Sequence, residues 1–207
     1  MIDCTGQPKR TSCKSTIDKC PIFNNNNYIN LKEIVNAYKK HVEKSYKNYL
    51  DFYKGGSIEK AIQKATNSIL ADNKMSHHQR RIGKTLLEKW KLKLISKKQE
   101  IKVCDSFIEL YDLIKEYSQG NQIERIGQLC VYDTSLRLSS FLELEVDKVH
   151  LQCGALRGAK NLGLKVKQGI LIDVPIVFSS LSCPDIENLL CVFKDKFNLD
   201  VLNSKEQ

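Results

Sequence analysis

From Leu31 to Tyr53 the apolar residues Leu31, Ile34, Val35, Tyr38, Val42, Tyr49, Leu50 and Tyr53 recur mostly in three- and four-residue steps, with lysines between them. That period puts one apolar stripe along an α-helix and excludes a half-buried strand, whose apolar positions would alternate. The same period returns along the chain. Gly55-Gly56 closes the first helix, and Ser57 stands where it can cap a second, built on Ile58, Ala61, Ile62, Ala65, Ile69 and Leu70. After the polar break ADNKMSHH, a third helix over about residues 79–97 buries Ile82, Leu86, Leu87, Trp90 and Leu94 behind a very basic outer surface. Ser106 and Glu109 make a capping box for a fourth, carried by Phe107, Leu110, Tyr111 and Ile114. A fifth, after Gly120, uses Leu129, Val131, Leu136, Leu138 and Leu142, and a short sixth is expected over residues 150–162.

One stretch breaks the pattern. GLKVKQGILIDVPIVF is β-branched and interrupted by Gly169 and Pro175, which predicts a small hairpin or an extended strap near 164–178. Helix returns at SCPDIENLL, where Ser182 or Cys183 precedes Pro184 in the first turn. The expected fold is therefore mainly α: a compact multi-helix domain with a helix-hairpin-helix-like element and a short extended or β segment.

An apolar fraction of 42% over 207 residues is enough for a real core and excludes global disorder. Residues 1–27 stand apart, a basic stretch of Lys, Ser, Thr and Cys followed by Pro21 and the run Asn24 to Asn27, without an apolar period. They are expected to form a flexible arm, and residues 28–207 a single domain with a basic helical half (28–103) and a hairpin-containing half (104–207). No window approaches the ~18 consecutive apolar residues of a membrane span, and the opening MIDCTGQPKR lacks the apolar core of a signal peptide. A cytoplasmic location is expected (nucleoid, or nuclear in a eukaryote), with no membrane partner. The eight cysteines should then be free thiols, with Cys104, Cys130, Cys153 and Cys191 serving as small hydrophobes. Cys4, Cys13 and Cys20, with His41 as a distant fourth group, lack the C-x2-4-C spacing of zinc knuckles, so no metal site is predicted.

Charge is divided unevenly. Residues 1–103 carry 22 Lys/Arg against 9 Asp/Glu, a balance of +13; residues 104–207 carry 11 against 15, a balance of −4. A basic half joined to a mildly acidic one points to a polyanion as partner, nucleic acid being the commonest. Solvated lysine-rich helices would show the same count. Two basic patches have local definition. MSHHQRRIGK places His77, His78, Arg80, Arg81 and Lys84 in or near the first turns of a helix, where they can neutralise phosphates. The adjacent histidines diverge on a helix and make a poor metal pair, although a cleft could use them as proton donors. In CGALRGAKNLG, Gly154 and Gly158 allow close helix packing, while Arg157 and Lys160 form a basic rim. GxGxxG is absent and no G-K-[ST] follows this stretch, so it is not a phosphate-loop pattern, and no cofactor is expected.

The run QIERIGQLCVYDTSLRLSSF ends one helix, turns at Ile126-Gly127 and begins another; Asp147 follows twenty residues after Gly127, within LEVDKVHLQCGALRG. Over residues 122–163 this order resembles the helix-hairpin-helix and following acidic residue of the base-excision DNA glycosylase superfamily. The resemblance implies that backbone N–H groups at the turn and at the start of the second helix meet phosphate oxygens. Gly127 would permit the sharp turn and close approach, with Ile123 and Ile126 as apolar pegs. Where the usual form has a second Gly this chain has Arg125, itself placed to reach a phosphate, and an Ile-Gly pair is also an ordinary helix boundary. The resemblance further implies that Asp147, in VDKVH, assists cleavage of the base–sugar bond. Leu129 stands where bifunctional members carry a Lys, so imine chemistry is not implied. Asp147 read on its own is first a helix N-cap before residues 149–162, and Asp133 is either a surface charge or a site carboxylate.

Three functions are consistent with these residues. The first is a DNA-binding protein contacting duplex phosphates through Arg125, Gly127 and the basic helical face. The second is a glycosylase-like enzyme with Asp147 as its carboxylate. The third is a protein-interaction module of a mobile element or defence system, its basic half meeting an acidic protein.

Overall fold

A computed structural model describes residues 30–67, 82–119 and 126–197. The fold is mainly helical with one small antiparallel sheet. The chain clusters into two compact units, divided after Tyr46 and again after Val146. The discontinuous unit joins residues 30–46 to 147–197, and the continuous unit spans Lys47–Val146, so the charge boundary near residue 103 does not coincide with a spatial one.

The discontinuous unit begins with α1 (Leu31–Tyr38), whose N-cap Asn30 accepts a hydrogen bond from the Glu33 N–H at 2.9 Å. A π-helical turn (Lys39–Glu43) follows, then α2 (Lys44–Asp51), whose residues from Lys47 onward belong to the continuous unit. Tyr38, Val42 and Tyr46 are all buried, and their four-residue steps overshoot a 3.6-residue turn. The wider i→i+5 turn absorbs the surplus and keeps them on one side. Against α1 stands the helix pair α8 (Cys153–Asn161) and α9 (Cys183–Val192), with Ile34, Val35, Leu151, Ala155, Ala159, Phe178, Leu189, Leu190 and Phe193 in one core. The Tyr38 hydroxyl donates to Asp185 at 2.9 Å and accepts from the Asn188 amide at 3.1 Å, fixing α1 on α9. Ser182 caps α9 as expected, accepting from the Asp185 N–H, with Pro184 in the first turn.

The expected β segment is a two-residue-loop hairpin, β1 (Val166–Lys167) and β2 (Ile170–Leu171). Both loop residues, Gln168 and Gly169, have positive φ (51° and 77°), as a type I′ turn requires. Residues 149–151 flank the other side of β2, through Leu171 N–H to Val149 C=O at 3.0 Å and the bridge of His150 to Ile170.

In the continuous unit, α3 (Ile58–Asn67) is capped by Ser57, whose hydroxyl accepts from the Lys60 N–H. α4 (Lys84–Ser96) starts later than its apolar pattern implies: Gly83 sits at φ 87°, which an α-helix cannot include, so Ile82 lies outside it. α5 (Lys98–Lys102) is a short continuation, and α6 (Phe107–Tyr117) is capped by Ser106. Here Glu109 reaches back one residue beyond the box, accepting from the Asp105 N–H at 2.9 Å. α7 (Gln128–Leu142) packs against both α3 and α6. Covered on two sides, it buries Cys130, Tyr132, Thr134, Ser135, Arg137 and Ser139 as well as Val131, Leu136 and Leu138. Leu129 and Leu142, expected in its apolar face, lie near its ends and are only half-buried.

Candidate nucleic-acid interface

Gly127 is the N-cap of α7 and is exposed; no side chain caps this helix start. Its carbonyl accepts from Cys130 and Val131, so the N–H groups preceding Cys130 are ones that a helix cannot satisfy internally. Ile126 is buried as the expected peg; Ile123 and Arg125 lie outside the described residues. The steric argument for glycine is overturned. At φ −77° and ψ 166° any L-residue fits, and a Cβ placed there meets nothing within 4 Å. The fold does not need a glycine at this position on steric grounds, and glycine is one of the ordinary residues at a helix N-cap.

Asp133 is a counter-ion. Its Oδ2 lies 3.2 Å from Arg137 Nη2, one turn on, and Arg137 is only 2% exposed. The Arg137 Nε donates to the Tyr49 hydroxyl at 2.6 Å and its Nη1 to the Ala65 carbonyl at 3.0 Å, with the Tyr49 and Tyr53 rings alongside. Burial alone would depress the guanidinium pKa, but Tyr49, Asp133 and Tyr53 outweigh it and hold the pKa above its usual value. Burial also raises the Tyr49 and Tyr53 hydroxyls above their ordinary range. Asp133 therefore neutralises a cation that ties α7 to α3 and to the last turn of α2, and is a poor candidate for a site carboxylate. Arg137 escaped the sequence reading. Its signal was an i, i+4 Asp–Arg pair inside an otherwise apolar helix.

Asp147 is exposed on irregular backbone and caps nothing: α8 starts at Cys153 with Gln152 as its N-cap. The N-cap reading is thus corrected. Asp147 also belongs to the discontinuous unit, whereas Gly127 belongs to the continuous one. Arg157 and Lys160 are exposed on α8, and Arg157 pairs with Asp195 at 3.0 Å. Close packing of the glycines is observed: a Cβ on Gly158 would lie 2.1 Å from the Leu190 carbonyl oxygen on α9. His77, His78, Arg80 and Arg81 lie outside the described residues; Lys84 is the exposed first residue of α4.

The densest cationic surface described is on α4 and α5. Residues 84–102 carry seven lysines and two glutamates. Lys91 pairs with Glu88, Lys97 with Glu100 at 2.7 Å and Lys98 with Glu59, while Lys84, Lys89, Lys93 and Lys102 make no salt bridge among the described residues. Lys89, Lys93 and Lys97 follow one another at four-residue steps, a row along one side of the helix end. The ammonium groups of Lys93 and Lys97 lie 5.7 and 5.4 Å from the Tyr117 ring centroid, close enough for a cation–π attraction of about 0.5–1 kcal/mol each at an exposed site. Tyr117 in turn donates its hydroxyl to Glu100. Bonds from Lys97 first, then Tyr117, hold the Glu100 carboxyl below its usual pKa, and Tyr117, desolvated and beside that carboxylate, is pushed up. Sequence reading placed a basic surface on this helix without resolving the row, because Tyr117 and Glu100 come from other helices.

Among the described residues no group of three or more His, Cys, Asp or Glu side chains could hold a metal ion, and no helix is long and apolar enough to cross a membrane. No protein-family profile, curated protein or solved structure matches this chain.

Proposed function

We propose that this protein binds nucleic acid, duplex DNA foremost, by phosphate contacts from the lysine face of α4 and α5, with the exposed start of α7 at Gly127 as a second contact. The observation that carries the reading is the row Lys89–Lys93–Lys97, flanked by Lys84 and Lys102 and balanced by little acid. Like charges one helical turn apart cost about 0.2–0.5 kcal/mol per pair, and glutamates at the same spacing would be favourable instead. A polyanion removes that repulsion. Four residues of helix advance about 6 Å, comparable to the advance of two phosphates of one strand along the duplex axis at about 3.4 Å each, so the row can follow a backbone without reading bases.

The test is salt-dependent binding of a labelled duplex. Replacing Lys89 and Lys93 together by Gln is expected to lower the slope of log K against log salt by about 0.9 per lysine. A wild-type protein that binds no duplex at low salt, or a double variant with unchanged affinity and slope, refutes the assignment.

A further inference from the structure

Resting on that reading, we infer that Lys93, Lys97 and Tyr117 form a discrete phosphate-binding subsite, and that Glu100 occupies it as an internal counter-anion when no ligand is bound. Two ammonium groups approach one aromatic ring, at 5.7 and 5.4 Å, which brings both cations to Tyr117 on α6. Paired cations at fixed positions suit a group that presents several oxygens, such as a phosphodiester. The Glu100 carboxylate makes the contact to Lys97 that a phosphate oxygen would make, at 2.7 Å.

Two features let this contact exchange. Lys97 and Glu100 are 35% and 51% exposed, so the pair is screened and of low strength. Glu100 also keeps a second partner, the Tyr117 hydroxyl, which retains the carboxylate when Lys97 turns away. Lys93 adds its charge to the field on Glu100 but makes no salt bridge among the described residues, which leaves one ammonium open for first contact. The incoming phosphate is met by Lys93 and then displaces Glu100 from Lys97. Affinity is therefore set partly by a carboxylate that never touches the nucleic acid. No bond is made or broken beyond this exchange of ion pairs.

The experiment compares Glu100→Gln with Asp112→Asn, an exposed acid on α6 outside the cluster, using a fluorescently labelled duplex over a salt series. Each variant loses one negative charge, so general electrostatics affects both. Glu100→Gln is expected to bind about 2–5-fold more tightly than Asp112→Asn, the equivalent of a released surface ion pair. Its salt slope should be steeper by about 0.9, one further phosphate contact. Adding Lys97→Gln to Glu100→Gln should abolish both gains. Equal behaviour of the two acid variants, or a gain that survives removal of Lys97, overturns the subsite while leaving nucleic-acid binding in place. Absence of wild-type binding overturns both.

Discussion

A single methyl group at Gly158 should unfasten the helix pair α8–α9. An alanine Cβ there would stand 2.1 Å from the Leu190 carbonyl oxygen, 2.9 Å from its carbon and 3.3 Å from its Cα. Comfortable carbon–oxygen contact begins near 3.3 Å, so α8 must retreat by about 1 Å or tilt. A radial gap of that size forfeits roughly a quarter to a half of each dispersion contact along the seam, including those of Ala155, Ala159 and Leu162, all fully buried. Overpacking of this kind costs about 1–3 kcal/mol, and a rigid backbone carbonyl puts it at the upper end. Alanine's better helix propensity returns about 1 kcal/mol, for a net loss of about 2 kcal/mol. With a urea m-value of about 1–3 kcal/mol/M, the midpoint should fall by roughly 1 M. Gly154→Ala is the internal comparison: its Cβ meets the Cys191 sulfur at 2.6 Å, a side-chain atom that can rotate, so a smaller loss is expected. The reasoning is refuted if Gly158→Ala is as stable as wild type, or if Gly154→Ala is the more damaging change.

Other consequences are equally direct. Asp133→Asn leaves the buried Arg137 without its carboxylate and should destabilise the protein by about 3–5 kcal/mol, seen as an earlier unfolding transition; an unchanged midpoint would mean that the tyrosines and the Ala65 carbonyl suffice. Glu59, hydrogen-bonded first by Lys98 and then by its own backbone N–H and Ser57, is held at about 2 instead of 4.5. Its stabilising contribution is present above pH ~4.5 and is lost as pH falls toward ~2; in Lys98→Ala a carboxyl NMR titration should show the midpoint moving back up, and no movement would dismiss the pair. Burial pushes the Cys104 thiol up to about 11, whereas Cys153 is exposed at the start of α8. Peptide-resolved alkylation of the native protein should therefore label Cys153 well before Cys104, and the reverse order would contradict the described burial.

The helices were legible because their causes are local. Ser57, Ser106 and Ser182 cap helices at the positions their neighbours imply, and the break at 164–178 announces the hairpin through Gly169 and alternating β-branched residues. Each of these depends on residues within about four positions. The site residues did not behave this way. Asp133 looked like a free acid because the groups around its partner Arg137 come from Tyr49 and Ala65, 88 and 72 residues away from Arg137.

Gly127 and Asp147 looked like one motif at a spacing of twenty, yet the chain passes from one unit to the other at Val146, between them. Sequence alone therefore determined a mainly helical chain with a lysine-rich surface in its first half. Tertiary structure decided which charges are spent on each other and which remain available to a partner. The reason is physical: period and capping act within one helix, whereas the strength and availability of a charge depend on burial and on groups brought in from other helices.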